Sequence, residues 1–276
     1  MKNSKSLPGN KMSLPIVITN RIIKISGGLV KTFSYAFHYI FPKKRFEIPV
    51  QSNPIVKSDT ITKIPKIIWQ TNFTNKVTLP VYVNYLFNRI ISPDWEYRYV
   101  STEDRLDFLQ KNAPKRVVDA YTQLTDGASQ ADLWRLFVLD FCGGVYMDID
   151  GHSVWPLSKI IKPDDKEVFL MTKKHISNYF IASSKDNPIL KKAVDIIVDN
   201  IEKKNIGNGV YDLTGPTALN LAIGDQKINS RFYRITCNQG SFTNEYFQYI
   251  DKPRGKWIYA DKESLLKSET HPASNG

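Results

Sequence analysis

Apolar residues recur every three or four positions from Ile18 through Ile22, Ile25, Leu29, Phe33 and Phe37 to Ile40, which predicts one apolar face along a helix. Arg21, Lys24 and Lys31 interrupt it, so no uncharged run approaches the ~20 residues that span a bilayer. Such a helix is expected to lie on a membrane surface. Residues 46–63 place Pro49 and Pro54 among Ser and Thr and read as a linker. Strand and helix signals alternate from Ile64 onward. Residues 66–70 read as a buried strand, Pro80 opens a helix, and Trp95, Tyr97 and Tyr99 alternate as in a second strand. Ser101 or Thr102 caps a helix over 103–111, and Pro114 opens another. Further strands are expected over 168–172 and 179–183. A helix over 187–204 turns Ile189, Ala193, Ile196 and Ile197 inward, and a short helix follows Thr214-Gly215-Pro216. Aromatic-rich strands are expected at 232–235 and 246–250. This alternation predicts an α/β domain with a largely parallel sheet and ligands at the carboxyl ends of its strands.

Length and composition fit one catalytic domain: 276 residues and 42% hydrophobic content can bury a single substantial core. We expect an arm at 1–45, a linker at 46–63, the domain at 64–260 and a tail at 261–276. The formal charge of +11 suggests nucleic acid until its distribution is considered. Residues 1–45 hold nine Lys and Arg and no acid, so nearly all of the excess lies in the arm. A basic arm with an apolar helical face on a nearly neutral body suits an anionic membrane surface and no nucleic acid. A mitochondrial transit peptide shares the acid-poor pattern, but this arm favours Lys over Arg. Two cysteines, Cys142 and Cys237, provide neither a disulfide framework nor a zinc spacing. No secretory signal is expected at the start of the chain.

The chemistry concentrates between Ser129 and Asp150. Ser129 can cap a helix that runs through Asp132 and Arg135 and ends at Gly143 or Gly144. The strand that follows places Tyr146, Asp148 and Asp150 on one side, because strand side chains alternate. Two carboxylates that close are tolerable facing water or a cation, and their hard oxygens suit Mg²⁺ or Mn²⁺ bound together with a diphosphate. Asp132 and Arg135 lie three apart on a helix that is otherwise apolar almost all round. They form either a structural ion pair or a binding site in which Asp132 accepts from sugar or ribose hydroxyls and Arg135 donates to the substrate.

These residues resemble glycosyltransferase family 32, which includes bacterial polysaccharide transferases and the yeast initiating α-1,6-mannosyltransferase. The resemblance spans 64–223: Ile64 to Thr71 resembles the family's first strand, Ala131 to Asp150 its central signature, and Asn178 to Pro188 and Thr214-Gly215-Pro216 its later landmarks. It implies a GT-A type fold, a nucleotide-sugar donor, expected to be UDP-linked by analogy with bacterial relatives, and retention of anomeric configuration. Carried over by position, Asp132, Arg135 and Asp150 would be catalytic. Trp69, Gln70, Asp132, Arg135, Tyr146, Asp148 and Asn178 would bind the donor, and Asp148 and Asp150 would hold Mn²⁺ or Mg²⁺. Trp69 stands where the family usually has His, which leaves open base stacking or a core place on the buried strand, and Asn72 replaces a frequent Trp. For the family's C-terminal His and Ser-Trp element, Trp257 and His271 are the available substitutes.

The implied activity is transfer of a hexose or N-acetylhexosamine to a saccharide acceptor, free or lipid-linked, in capsule, O-antigen or lipopolysaccharide synthesis. The implied location is the cytoplasmic face of a bacterial inner membrane. Two alternatives stand beside it. Residues 146–151 also resemble the nucleophile loop of haloacid-dehalogenase-like phosphatases, in which Asp148 would attack phosphorus, although His152 departs from that pattern. A non-catalytic membrane-surface protein with a degenerate sugar-nucleotide pocket is the other.

Overall fold

The computed structural model describes residues 13–267. The chain opens with helix α1 (Leu14–Ile40), then strands β1 (Phe46–Glu47), β2 (Gln51–Ser52), β3 (Ile67–Thr71) and β4 (Lys76–Val77). Helix α2 (Leu79–Ile91), β5 (Glu96–Val100), α3 (Thr102–Asn112), α4 (Lys115–Gln123), α5 (Gly127–Cys142) and β6 (Gly144–Met147) follow. Next come β7 (Gly151–Ser153), α6 (Leu157–Ile160), β8 (Glu167–Met171), β9 (Ile176–Ser183), α7 (Pro188–Glu202), α8 (Val210–Leu213) and α9 (Pro216–Ile223). The last are β10 (Ser230–Phe232), α10 (Tyr233–Thr236), β11 (Cys237–Gln239) and α11 (Glu245–Tyr249).

Seven strands form the central sheet in the order β10-β8-β9-β6-β3-β5-β2. The pairs β10/β8, β6/β3 and β3/β5 are parallel, while β9 and β2 run against their neighbours. The expected α/β class with a mostly parallel sheet, as the GT-A resemblance implies, is therefore present. Alternation along each strand divides the core. Trp69, Tyr146, Phe169 and Ile181 face a layer that includes Trp134 and Leu139 of α5, Ile197 of α7 and Leu219 of α9. Ile68, Val145, Met147 and Phe180 face Tyr85 of α2 and Tyr97 of β5.

Local signals explain most boundaries. Ser101 and Asp104 form a reciprocal capping box at the start of α3. Pro80 lies in the first turn of α2, and Asn187 caps α7. Several expectations are corrected. Asp126, not Ser129, caps α5, accepting from the Ala128 and Ser129 amides, which leaves Ser129 Oγ buried without a partner. Residues 246–250 are mostly helical, packed through Phe247, and 232–235 turn from β10 into α10. The expected linker contributes β1, paired with β4, and β2, paired with β5, and buries Ile48 between them. Of the expected tail, residues 261–267 pack on the domain: Leu265 is buried and Leu266 bridges Leu124. His271 lies outside the described residues.

Candidate active site

The junction of α5 and β6 is a two-glycine turn fitted against the first strand. Gly143 and Gly144 take φ of +70° and +112°, where a side chain is strained. A Cβ on Gly144 would lie 2.7 Å from the Ile67 carbonyl oxygen and 3.0 Å from Trp69 Nε1. Trp69 donates from Nε1 to the Gly143 carbonyl at 3.0 Å and sits edge-on to Trp134. It is thus a core clasp that holds the turn, which corrects its expected place in the donor site.

Strand β6 ends at Met147, so Asp148 and Asp150 lie in the turn beyond its carboxyl end, with the Gly151 amide donating back to the Asp148 carbonyl. Buried amide side chains fix this turn. Gln70 donates to the Asp148 carbonyl at 2.8 Å and accepts from the Tyr97 hydroxyl. Asn84 donates to the carbonyls of Ile149 and Gly151, both at 2.9 Å, and Asn88 donates to Gly151 at 2.9 Å. Gln70 is only 1% exposed. It positions the acidic turn from beneath, which corrects its expected direct contact with donor. Asn84 and Asn88 went unread in the sequence, although two amides four apart on the buried face of α2 are a visible signal.

Arg135 links the carboxylates. Its guanidinium lies 3.1 Å from Asp132 Oδ1 and 3.1 Å from Asp148 Oδ1, donates to the Asn178 carbonyl at 2.9 Å, and stacks 4.3 Å from the Tyr146 ring centre. Asp132 also accepts from Asn178 Nδ2 at 2.9 Å and Thr214 Oγ1 at 3.1 Å. The Tyr146 hydroxyl donates to Asp148 Oδ1 at 2.9 Å. Five of the residues expected from the sequence, Asp132, Arg135, Tyr146, Asp148 and Asn178, are therefore in one network. Gln239 joins them: its Nε2 donates to Asp148 Oδ2 at 3.1 Å and to Asp150 Oδ1 at 3.0 Å.

Three carboxylates with one guanidinium leave the cluster short of positive charge. Burial, opposed by Arg135 and reinforced by Asp148, pushes the Asp132 pKa up to about 7. Burial and the neighbouring Asp148 push Asp150 up to about 6. The donor set fits a hard divalent cation, because oxygens of two different carboxylates converge on the single Gln239 nitrogen. Among the described residues no group of three or more His, Cys, Asp or Glu could hold a metal ion, so other ligands would come from diphosphate or water.

The cluster opens into a cavity of about 570 Å³. Arg105, unremarked in the sequence, lines it while only 2% exposed. It donates to Thr102 Oγ1 at 2.8 Å and to the Gly127 carbonyl at 3.3 Å, and its Nε is unpartnered. Burial holds its pKa below the usual arginine value. Trp257 also lines the cavity, as do Tyr211 and His175, which share a 3.1 Å hydrogen bond. His152 is fully buried between Phe87 and Phe242, and burial lowers its pKa to about 4.

Residues 80–167 match the model of a family described as a glycosyltransferase sugar-binding region containing a DXD motif. The matched residues include Asp132, Arg135, Tyr146, Asp148 and Asp150. No curated protein matches the chain. Among solved structures it is similar to the PaToxG glycosyltransferase at 20% identity and a TM-score of 0.49, over 75% of this chain and 78% of that one. It is also similar to the glycosyltransferase domain of the YGT toxin. The ligand-free form aligns at 14% identity and a TM-score of 0.37 over 54% of each chain. The UDP-bound form aligns at 12% and 0.37, over 59% of this chain and 56% of that one.

Proposed function

We propose that this chain is a metal-dependent glycosyltransferase that moves a hexose or N-acetylhexosamine from a UDP-sugar to a saccharide acceptor with retention of configuration. The observation that carries the proposal is the convergence of Asp148 and Asp150 on one nitrogen, beside Arg135 and Asp132, at the wall of a cavity. Mn²⁺ or Mg²⁺ held there would offset charge developing on the leaving diphosphate. Asp148 and Asp150 supply the carboxylate oxygens. Arg135, locked between two carboxylates and a ring, presents a preorganised cation to the diphosphate and sugar. Asp132 accepts from a sugar or ribose hydroxyl, and Thr214 and Asn178 hold its carboxylate in place.

The basic, acid-poor first 45 residues favour an anionic membrane surface as a further partner, with a lipid-linked saccharide as acceptor and surface polysaccharide synthesis at the cytoplasmic face as the setting. The phosphatase alternative requires Asp148 free to attack, yet both its oxygens are engaged by Arg135, Tyr146 and Gln239. Intact acidic and cationic groups also weigh against a non-catalytic pocket.

A screen of UDP-, GDP- and dTDP-sugars with Mn²⁺ and saccharide acceptors, read by mass spectrometry, tests the reading. A glycosylated acceptor formed from one donor class is expected. Aryl-phosphate hydrolysis without any sugar transfer would overturn it.

A further inference from the structure

Helix α1 turns its apolar stripe away from the protein. Ile22, Ile25, Leu29 and Phe33 are each more than half exposed, whereas Ile23, Gly27, Ser34 and His38 are buried on the opposite side. That inner face lies along residues 234–247. Asn20 donates to the Arg234 carbonyl at 2.8 Å and accepts from Asn238 Nδ2 at 2.7 Å. Lys31 donates to the Gly240 carbonyl at 3.0 Å, and Asn244 donates to the Tyr35 hydroxyl at 2.8 Å. At Gly27 the contact is so close that a Cβ would lie 2.2 Å from the Ser241 carbonyl oxygen.

The other side of this segment touches the acidic pair. Gln239 bridges Asp148 and Asp150, the Gly240 amide donates to the Asp150 carbonyl at 3.1 Å, and β11 pairs with β7 immediately after Asp150. One short stretch of chain therefore lies between α1 and the carboxylates that would hold the metal.

We infer that α1 couples an anionic lipid surface to the donor site: lipid binds its outer face, and its inner face holds 238–244 in the arrangement that admits metal and donor. The inference rests on the glycosyltransferase reading above for what binds at the carboxylates. The inner face joins polar side chains to aromatic packing of Tyr35 on Tyr246 and Phe247, while the outer stripe stays wet. A bilayer covers that stripe and so favours the helical, docked state over any displaced one. Charge selects the occupant, because residues 1–45 carry nine cations and no acid. Among the described residues no helix is long and apolar enough to cross a membrane. Linkage is reciprocal, so Mn²⁺ and UDP must also strengthen vesicle binding by the factor with which vesicles strengthen theirs.

Two adjacent glycines provide the test, since a Cβ on Gly28 would meet nothing within 4 Å whereas one on Gly27 would collide. Full-length wild type, Gly27→Ala, Gly28→Ala and the milder Asn20→Ala are compared with phosphatidylcholine vesicles with and without phosphatidylglycerol. The readouts are flotation, Mn²⁺ and UDP affinity, and amide hydrogen exchange over 238–244. Wild type and Gly28→Ala should bind Mn²⁺ and UDP several-fold more tightly on anionic vesicles, with slower exchange at Gly240. Gly27→Ala and Asn20→Ala should float equally well yet show neither response. Unchanged exchange and Mn²⁺ affinity in wild type on vesicles it binds, or a Gly27→Ala response equal to wild type, would overturn the coupling. UDP binding absent from every protein would refute the donor reading alone, since exchange and Mn²⁺ affinity still report the coupling.

Discussion

Asp132 and Asp150 carry a specific pH signature. Their folded pKa values, about 7 and about 6, lie above the ordinary aspartate value, so the native protein retains protons that the unfolded chain has lost. The resulting stability is complete below the unfolded value and declines as pH rises through the folded ones. Metal-free protein should therefore melt at a higher temperature near pH 5 than near pH 8, and Asp132→Asn should flatten that slope while lowering kcat or raising donor KM. Mn²⁺ binding, which needs ionised carboxylates, should run the opposite way and tighten across the same interval. Calorimetry at several pH values checks both. A pH-independent melting temperature in wild type would contradict the shifted carboxylates. Arg105 has a different signature, because it is a buried cation whose hydrogen bonds go to a hydroxyl and a carbonyl. Beyond the Asp126 carboxylate that acts on it, an anion entering the cavity would supply compensating charge. Arg105→Met should thus leave the melting temperature unchanged or raised and weaken binding of UDP by roughly tenfold, the usual scale for one charge-assisted hydrogen bond. A large stability loss with UDP affinity intact would assign Arg105 a structural role.

The turn between α5 and β6 shows why two distant sequence landmarks belong together. The first strand brings Trp69 and the Ile67 carbonyl against Gly144, and Trp69 bonds the Gly143 carbonyl, so each motif shapes the other's backbone. Gly144→Ala should cost about 2–4 kcal/mol from positive φ and overpacking combined, and should lower activity by displacing the acidic turn. Urea unfolding measures the first, and a loss below 0.5 kcal/mol would contradict the close fit. Elements with dense local signals were legible: the Ser101 cap of α3, the proline in α2 and the buried run of β3 all stand as read. The two-residue strands β1 and β2 were not, because their pairing is set by β4 and β5 and only Ile48, between prolines, hints at burial. Residues 246–250 misled because aromatic residues suit either element, and Asn244 capping the Phe247 amide decides for helix. The helix of α1 was legible in its apolar spacing, and Ile22, Ile25, Leu29 and Phe33 of that stripe are exposed. Its docking was invisible, since Gly27, Ser34 and Asn20 carry no hydrophobic period and their role depends on residues two hundred positions away.

Across the whole molecule, groups from widely separated segments meet beyond the carboxyl ends of the inner strands β3 and β6. Gln70 comes from the end of β3, the acidic turn from the end of β6, Asn178 from β9, Thr214 from the start of the turn before α9, and Gln239 from β11. Asp132, Arg135, Tyr146, Asp148 and Asn178 could be placed from their spacing and family resemblance. Arg105 and Gln239 could not, because their significance lies in burial and partners that only the assembled chain provides, and Asn84 and Asn88 left only their four-residue spacing as a signal. The site acts as a unit, so removing either acidic ligand should cost nearly all activity, not half. The most direct measurement is sugar transfer by full-length wild type, Asp148→Asn and Asp150→Asn, assayed with the accepted nucleotide sugar in Mn²⁺, in chelator, and after Mn²⁺ is restored. Wild type should lose transfer in chelator and regain it with metal, while both variants remain folded and at least a hundredfold below wild type, as loss of about 3 kcal/mol of transition-state stabilisation implies. Full transfer by wild type in chelator, or by either variant in Mn²⁺, would contradict a metal held by this pair of aspartates.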